Sequence, residues 1–312
     1  MTAPSNTTGT ISDVVKTVFN RAALFAYRAA AVYRAMADVK WARGDGPMPG
    51  NVVTFTKISA LTVATSALSE TADPSAVALA DTQVSITLLE QGNLTLNSRK
   101  LQLTSFTDID LAAVREITAN MEESMDIIAR TPLDSGTNVN RPGGKARASL
   151  LATDNMTANL VRTVVQKLRG KNAPTPDGGP YYPAVTHPDA AFDLMTETGA
   201  AAWTAPHIYS DPAGIYAGEI GAFAGARFIQ NANANLRVDA GSGGTVDVYD
   251  TLFFGQQALG EAVGDAQHVH IGRPNDAMER FVPVSWYALA GYGIIRQDSL
   301  WRIEAASSIG AN

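Results

Sequence analysis

The chain has no cysteine. Disulfides, thiolate catalysis and cysteine-held zinc or iron–sulfur centres are therefore excluded, and a reducing compartment is the natural one. Histidine is also scarce, with His187, His207, His268 and His270 making up the whole set. His268 and His270 share a face if their segment is a strand, but no third ligand is indicated, and ordinary surface histidines are the simpler reading. Charged residues are only 17% of the 312, and the net charge is −6. That balance argues against a dedicated nucleic-acid binder held by phosphate neutralisation, while leaving room for a local basic face. No apolar run approaches the ~20 residues of a membrane span, and Met1–Thr10 lacks the basic and apolar regions of a signal peptide. A soluble protein with no membrane partner is expected.

Catalytic motifs are missing too. There is no Gly-x-Ser-x-Gly elbow to place a nucleophile. Gly143-Gly-Lys145 lacks the upstream glycine and the Ser/Thr of a phosphate loop, and Gly291-Tyr-Gly293 lacks the third glycine of a dinucleotide fingerprint. Pro188 and Asp189 could orient His187, yet nothing supplies a triad. No catalytic, cofactor-binding or metal-binding residue is assigned. A small α/β enzyme acting on a polar metabolite stays as the reading from another class, and it needs the missing constellation.

What is present is a chain with 46% hydrophobic residues, long enough for more than one lobe. Its low charge suits a surface covered largely by neighbours. Apolar residues at helical spacing (Val15, Phe19, Ala22, Ala26, Ala29, Val32, Met36, Val39) predict a helix over 12–42, capped by Ser12 and closed by Gly44. Residues 1–50 hold six basic against three acidic side chains. Either this is a solvated helix face, or Arg21, Arg28 and Arg34 turn the arm's basic side toward a polyanion.

After the break at Gly46-Pro-Met-Pro-Gly50, alternation predicts strands over 51–57, 83–89 and 93–103. Between the first two, residues 62–81 are Thr-, Ser- and Ala-rich and carry Glu70, Asp73 and Pro74, which reads as a projecting loop. Ile109, Ala113, Ile117, Met121, Met125 and Ile128 predict a long helix over 108–130, with Thr107-x-x-Asp110 as a capping box. A Gly/Asn/Arg loop with Arg141, Lys145 and Arg147 follows over 135–150, then a helix over 154–169. Beyond it a mixed α+β pattern predicts strands over 182–186, 227–230, 245–254, 282–293 and 294–305, and helices over 188–199 and 256–262. Residues 215–223 read as a packed helix or turn, where Gly218, Gly221 and Gly225 let backbone pass close to a neighbour. Glu219 is the one carboxylate there, with a polar role at a packing corner.

Several stretches carry a resemblance. His187-Pro-Asp followed by Phe192-Asp-Leu194, and Gly218-Glu-Ile-Gly221-x-Phe-x-Gly225-x-Arg227-Phe, resemble the major capsid proteins of tailed bacteriophages and prophages. Ser66-Ala-Leu-Ser-Glu-Thr-Ala-Asp-Pro-Ser75 and Glu90-Gln-Gly-Asn93 resemble them as well, although Gln91 stands where an aromatic residue is expected. The resemblance implies the HK-97 phage capsid fold, an α+β architecture. In it, residues 1–50 form an N-terminal arm, 51–103 an extended β-hairpin loop, 104–150 and 284–312 a peripheral domain on a long spine helix, and 151–283 an axial domain.

It also implies a shell subunit of a virion, assembled in the host cytoplasm into pentamers and hexamers around double-stranded DNA held non-specifically. Scaffolding, portal and decoration proteins are further partners of such subunits. Glu70 and Asp73 would contact the adjacent subunit, and Arg21, Arg28 and Arg34 the interior. Gly218, Glu219, Gly221, Gly225 and Arg227 would form the structural signature. An encapsulin-like compartment is the alternative within the same fold.

Overall fold

The computed structural model describes residues 31–42, 50–65, 67–71, 73–105, 109–197, 219–274, 276 and 278–310. Thirteen strands and four helices are found among them. In chain order they are β1 (Ala37–Trp41), β2 (Val52–Ile58), β3 (Asp81–Thr87), β4 (Leu89–Ser98), α1 (Arg99–Thr104), α2 (Ile109–Arg130), β5 (Val139–Asn140), α3 (Ala158–Gly170), β6 (Tyr182–Thr186), α4 (Pro188–Thr196), β7 (Glu219–Phe223), β8 (Ala226–Gln230), β9 (Leu236–Arg237), β10 (Val248–Phe254), β11 (Leu259–Ile271), β12 (Phe281–Ile294) and β13 (Leu300–Ala305).

Two larger sheets organise the chain. The first runs β1-β11-β12-β4, and the second β5-β13-β10-β6-β8-β7 with β9 added on β10. The long helix α2 lies on the first. Its Ile117, Met121 and Met125, spaced four apart and so stacked on one face, pack against Val284, Trp286, Ala288 and Ala290 of β12. Asn120 on the same helix accepts a 2.9 Å hydrogen bond from Trp286 Nε1, which satisfies the indole at the contact. The second sheet is buried on both sides, and β10 and β13 are buried along their whole lengths. One side carries α3 and α4 through Val161, Val164, Leu168 and Leu194, and the other packs Tyr33 and Leu133 against Val185, Ile229 and Leu252.

The helix expected over 12–42 lies mostly outside the described residues, and its last part is not helical. Ala37–Trp41 is a strand paired in parallel with Leu259–Val263. Met36 and Val39 fit a helical spacing, but the free edge of β11 offers five residues a ladder that outweighs a weak propensity. The chain arrives there from an anchored root. Tyr33 is fully buried, and Asp126 of α2 accepts hydrogen bonds from the backbone N–H groups of Val32 (2.9 Å) and Arg34 (3.2 Å). Replacing Asp126 with Ala leaves the buried Val32 N–H and the half-buried Arg34 N–H without this acceptor, at about 1–3 kcal/mol. The expected result is a lower melting temperature with faster proteolysis before Ala37, and unchanged cleavage there would refute the anchor.

Three other expectations change. The strand over 93–103 stops at Ser98, whose Oγ caps α1 by accepting from Leu101 N (3.2 Å), after which Arg-Lys-Leu-Gln-Leu favours helix. The helix over 256–262 is a turn leading into β11. Gln257 takes a positive φ of 59° and hands the chain from one sheet to the other. The single strand over 294–305 is broken by a 3-10 turn at Gln297–Ser299, so that β12 and β13 serve different sheets.

Candidate assembly surfaces

The β2–β3 hairpin pairs Val52 with Thr87 through to Ile58 with Asp81, as expected for a stem. The described residues of 59–80 form neither helix nor strand and are exposed except for Ser59. The loop is less polar than its Thr/Ser content suggests. Leu61, Val63, Leu68, Val77 and Leu79 are 53–79% exposed, a density of uncovered large apolar groups that marks an interaction surface. Glu70 and Asp73 are exposed among them, and neither forms an ion pair with the described residues. A second apolar surface lies on the body. Leu94 and Leu96 of β4, Leu101 of α1, and Ile109 and Ala113 of α2 line an open groove of about 540 Å³.

The described part of the glycine signature is a β-hairpin, which corrects the expectation of a packed helix or turn over 215–223: residues 219–223 are a strand. β7 and β8 are joined by Ala224 (φ 51°) and Gly225 (φ 89°), the two positive φ values that a tight primed turn needs. Gly225 is required for a second reason. A Cβ there would stand 2.7 Å from Arg169 Nη2 and 3.2 Å from Val165 Cγ1 of α3. Gly221 also has positive φ (137°), beside a register shift between Glu219 and Gly221. Arg227 sits in β8 opposite Ala222 on one side and Pro183 on the other. Gly218 lies outside the described residues, as do Arg21 and Arg28.

His187-Pro-Asp189 is a helix start. His187 Nδ1 accepts from Asp189 N (3.3 Å), Pro188 fills the first helical position, and the Asp189 carboxylate sits at the positive end of α4. Burial lowers the His187 pKa, which keeps Nδ1 free to accept. His268 and His270 are exposed on β11, and the His268 ring lies 6.0 Å from Tyr287. Among the described residues no group of three or more His, Asp or Glu is placed to hold a metal ion, and no helix is long and apolar enough to cross a membrane.

Arg34 is not spare charge on an arm. Its Nε lies 3.0 Å from Glu261, whose carboxylate also accepts from Tyr292 Oη (2.9 Å), and its guanidinium donates to Gln267. Arg141 and Arg147 likewise turn inward, to a buried charge cluster that sequence reasoning missed. Glu304, with no exposed surface, is held by Arg141 (2.7 Å), Arg147 (2.6 Å) and Arg302 (2.8 Å). These hydrogen bonds outweigh the cost of burial and hold its pKa down at about 2. Directly across the ladder stands Asp250, bound by Arg237 (2.9 Å) and Asn235 (2.7 Å). Burial pushes the Asp250 pKa up. The available signal was charge inside apolar strands: Val248-Tyr-Asp250-Thr-Leu-Phe-Phe254 and Leu300-Trp-Arg-Ile-Glu304-Ala.

Comparison with known proteins fits this architecture. The family model described as "Phage capsid protein" matches residues 103–296. No curated protein sequence matches the chain significantly. Among solved structures, the capsid of Ralstonia phage GP4 is similar with a TM-score of 0.71 at 14% identity, over 97% of this chain and 98% of that one. The cyanophage Pam1 capsid gives 0.71 at 14% identity over 99% and 100%, and Mycobacterium phage Che8 gives 0.62 at 18% over 96% and 98%. The α+β architecture is thus the HK-97-like capsid fold. With the family model covering more than half of its length, the chain belongs to the phage capsid protein family and is a structural subunit of a phage head shell.

Proposed function

We propose that the subunit assembles in the host cytoplasm into pentamers and hexamers of an icosahedral shell, and that the extended hairpin is the clasp between neighbours. The observation that carries this is the row of exposed apolar side chains on residues 59–80, an excursion with too little of its own surface buried to offset ~1–2 kcal/mol of backbone entropy per ordered residue. Such a segment orders against another surface. A second copy supplies one at every position of a shell, and many modest contacts repeated add up to closure. Glu70 and Asp73 then meet donors or basic groups on the adjacent copy.

In this reading residues 1–50 are the arm, 51–103 the extended loop, 104–150 with 284–312 the peripheral domain, and 151–283 the axial domain. Purified chain examined by size exclusion and electron microscopy should form capsomers or closed shells. A stable monomer at high concentration overturns the proposal.

The interior holds double-stranded DNA without sequence preference, and scaffolding, portal and decoration proteins are the remaining partners of the shell. With Arg34 committed to Glu261, the arm's contribution to DNA rests on Arg21 and Arg28. Replacing both with Gln should leave the body folded and should make DNA retention more salt-sensitive. Equal retention across a salt series in particles of both kinds removes the arm from DNA binding.

A further inference from the structure

Four glycines of the first sheet lie under the hairpin stem. Gly260 pairs with Gly293, and Ala262 pairs with Gly291, across β11 and β12. Gly264 continues the same row. Residues two apart share a face, so these five small residues make one floor, and on it rest Ile86 and Leu88 with Val53. The opposite face of β12 is the one that carries α2. The sheet is therefore held between the long helix on one side and the root of the stem on the other.

The fit at this floor is tight. A Cβ on Gly291 would stand 2.2 Å from the backbone O of Thr87 and 3.0 Å from Ile86 Cγ2. On Gly293 it would meet Ile86 Cγ1 at 3.1 Å; on Gly260 it would meet Ile295 Cδ1 at 2.6 Å before Ile86 Cδ1 at 3.2 Å, and on Gly264 Leu289 Cδ2 at 2.8 Å before Leu88 Cδ1 at 3.1 Å. Flexible side chains can yield by a few tenths of an ångström, but a strand's carbonyl moves only with its strand. The Gly291 and Gly293 contacts fall wholly on Ile86 and Thr87, where β3 ends, whereas Gly260 and Gly264 also make room for Ile295 and Leu289. The rest of the stem, Asp81–Ser85 paired with Thr54–Ile58, extends about 17 Å beyond Ile86 at ~3.4 Å per residue.

We propose that Gly291 and Gly293 are positioning residues that set the angle at which the extended hairpin leaves the body, and through it the curvature of the shell. This rests on the clasp reading above and adds a determinant to it. A clasp hinged freely at its root would let any angle between neighbours form. One seated on backbone contacts delivers its apolar tip to a single place, and a displacement at the root is carried along the stem to the tip.

Gly291→Ala tests this, with Gly50→Ala as control because nothing lies within 4 Å of a Cβ there. The Gly291→Ala subunit should keep its circular dichroism spectrum while the yield of particles of wild-type diameter falls at least tenfold, replaced by open or aberrant assemblies. Gly50→Ala should match wild type. A folded Gly291→Ala subunit giving wild-type yield and diameter overturns the proposal. If that variant does not fold, Gly293→Ala takes its place, because its added methyl meets only the Ile86 side chain; wild-type particles from it overturn the proposal equally. If the unsubstituted chain forms no shells, the clasp reading has failed by itself. The seat is then read by hydrogen exchange in residues 52–58 and 81–87 of the isolated subunit, where Gly291→Ala should exchange at least tenfold faster and unchanged protection sinks the idea.

Discussion

A subunit lacking residues 62–78, closed by a short Gly/Ser bridge, should fold and remain soluble yet form no closed particles. The first half of that outcome follows from the stem. Ile58 pairs with Asp81 across β2 and β3, so the ends to be bridged already lie side by side. The described side chains removed, Val63, Leu68 and Val77 among them, are exposed and contribute nothing to the subunit's own core. Loss of a surface excursion whose ends are close is well tolerated. The second half follows from repetition: a shell that forfeits the same contact at every neighbour loses it hundreds of times over, and each ~1.4 kcal/mol lost weakens an individual contact tenfold. Circular dichroism beside particle counting decides it. Unfolding of the shortened chain would place the loop in the subunit core, and normal shells would remove it from assembly.

Removal of one carboxylate should have the largest effect on the subunit itself. Glu304→Ala strands Arg302, whose side chain is 5% exposed, next to Arg141 and Arg147 with their shared acceptor gone. Breaking a buried pair from one side costs about 3–5 kcal/mol. The pKa leads to a similar figure. Lowering from 4.5 to about 2 corresponds to roughly 3 kcal/mol of preference for the ionised form. Because the folded value lies below the unfolded one, this stability is present in full above pH ~4.5 and is lost as pH falls through about 2. Glu304→Gln should therefore be less stable than wild type at pH 7, with the difference shrinking steadily toward pH 2. A difference that stays constant over that range would show that the charge of Glu304 is not what the three arginines hold. Asp250, whose pKa is pushed up by burial, acts in the opposite sense and does not produce this profile.

Much of this architecture can be read from local chemistry. The helix α2 announces itself by Ile117, Met121 and Met125 at four-residue spacing, and the stem by alternation on both sides of a polar excursion. Where reading fails, a distant partner decides. Ala37–Trp41 carries residues that suit a helix and becomes a strand because Leu259–Val263 has an open edge, a fact found nowhere near residue 40. The Gly225 turn shows the complementary case. Gly225 does mark close approach, to Val165 and Arg169, but the element making the approach is a hairpin, because glycine reports space and not the period of its neighbours. The apolar character of residues 59–80 was masked by averaging: Leu61, Val63, Leu68, Val77 and Leu79 are diluted by Thr, Ser and Ala, and only their exposure reveals that nothing in the subunit covers them. Arg34 shows the same dependence on context, since charge counts on an arm cannot see Glu261.

The pairing of β1 with β11 sets a schedule for the nascent chain. Ala37 meets Leu259, and Leu89 meets Ala290, so the first sheet joins its two edge strands to segments roughly 200 residues further on. At about 5–20 residues per second, β1 waits on the order of 10–40 s for its partner to be synthesised. Contacts of such sequence separation also form slowly once both strands exist. Throughout that interval the floor of small residues on β11 and β12 does not yet exist, and Val53, Ile86 and Leu88 of the stem have nothing to rest on. A cell making many copies at once therefore holds a standing population of chains with an uncovered apolar hairpin, at high local concentration on the same message, before any of them is a finished subunit.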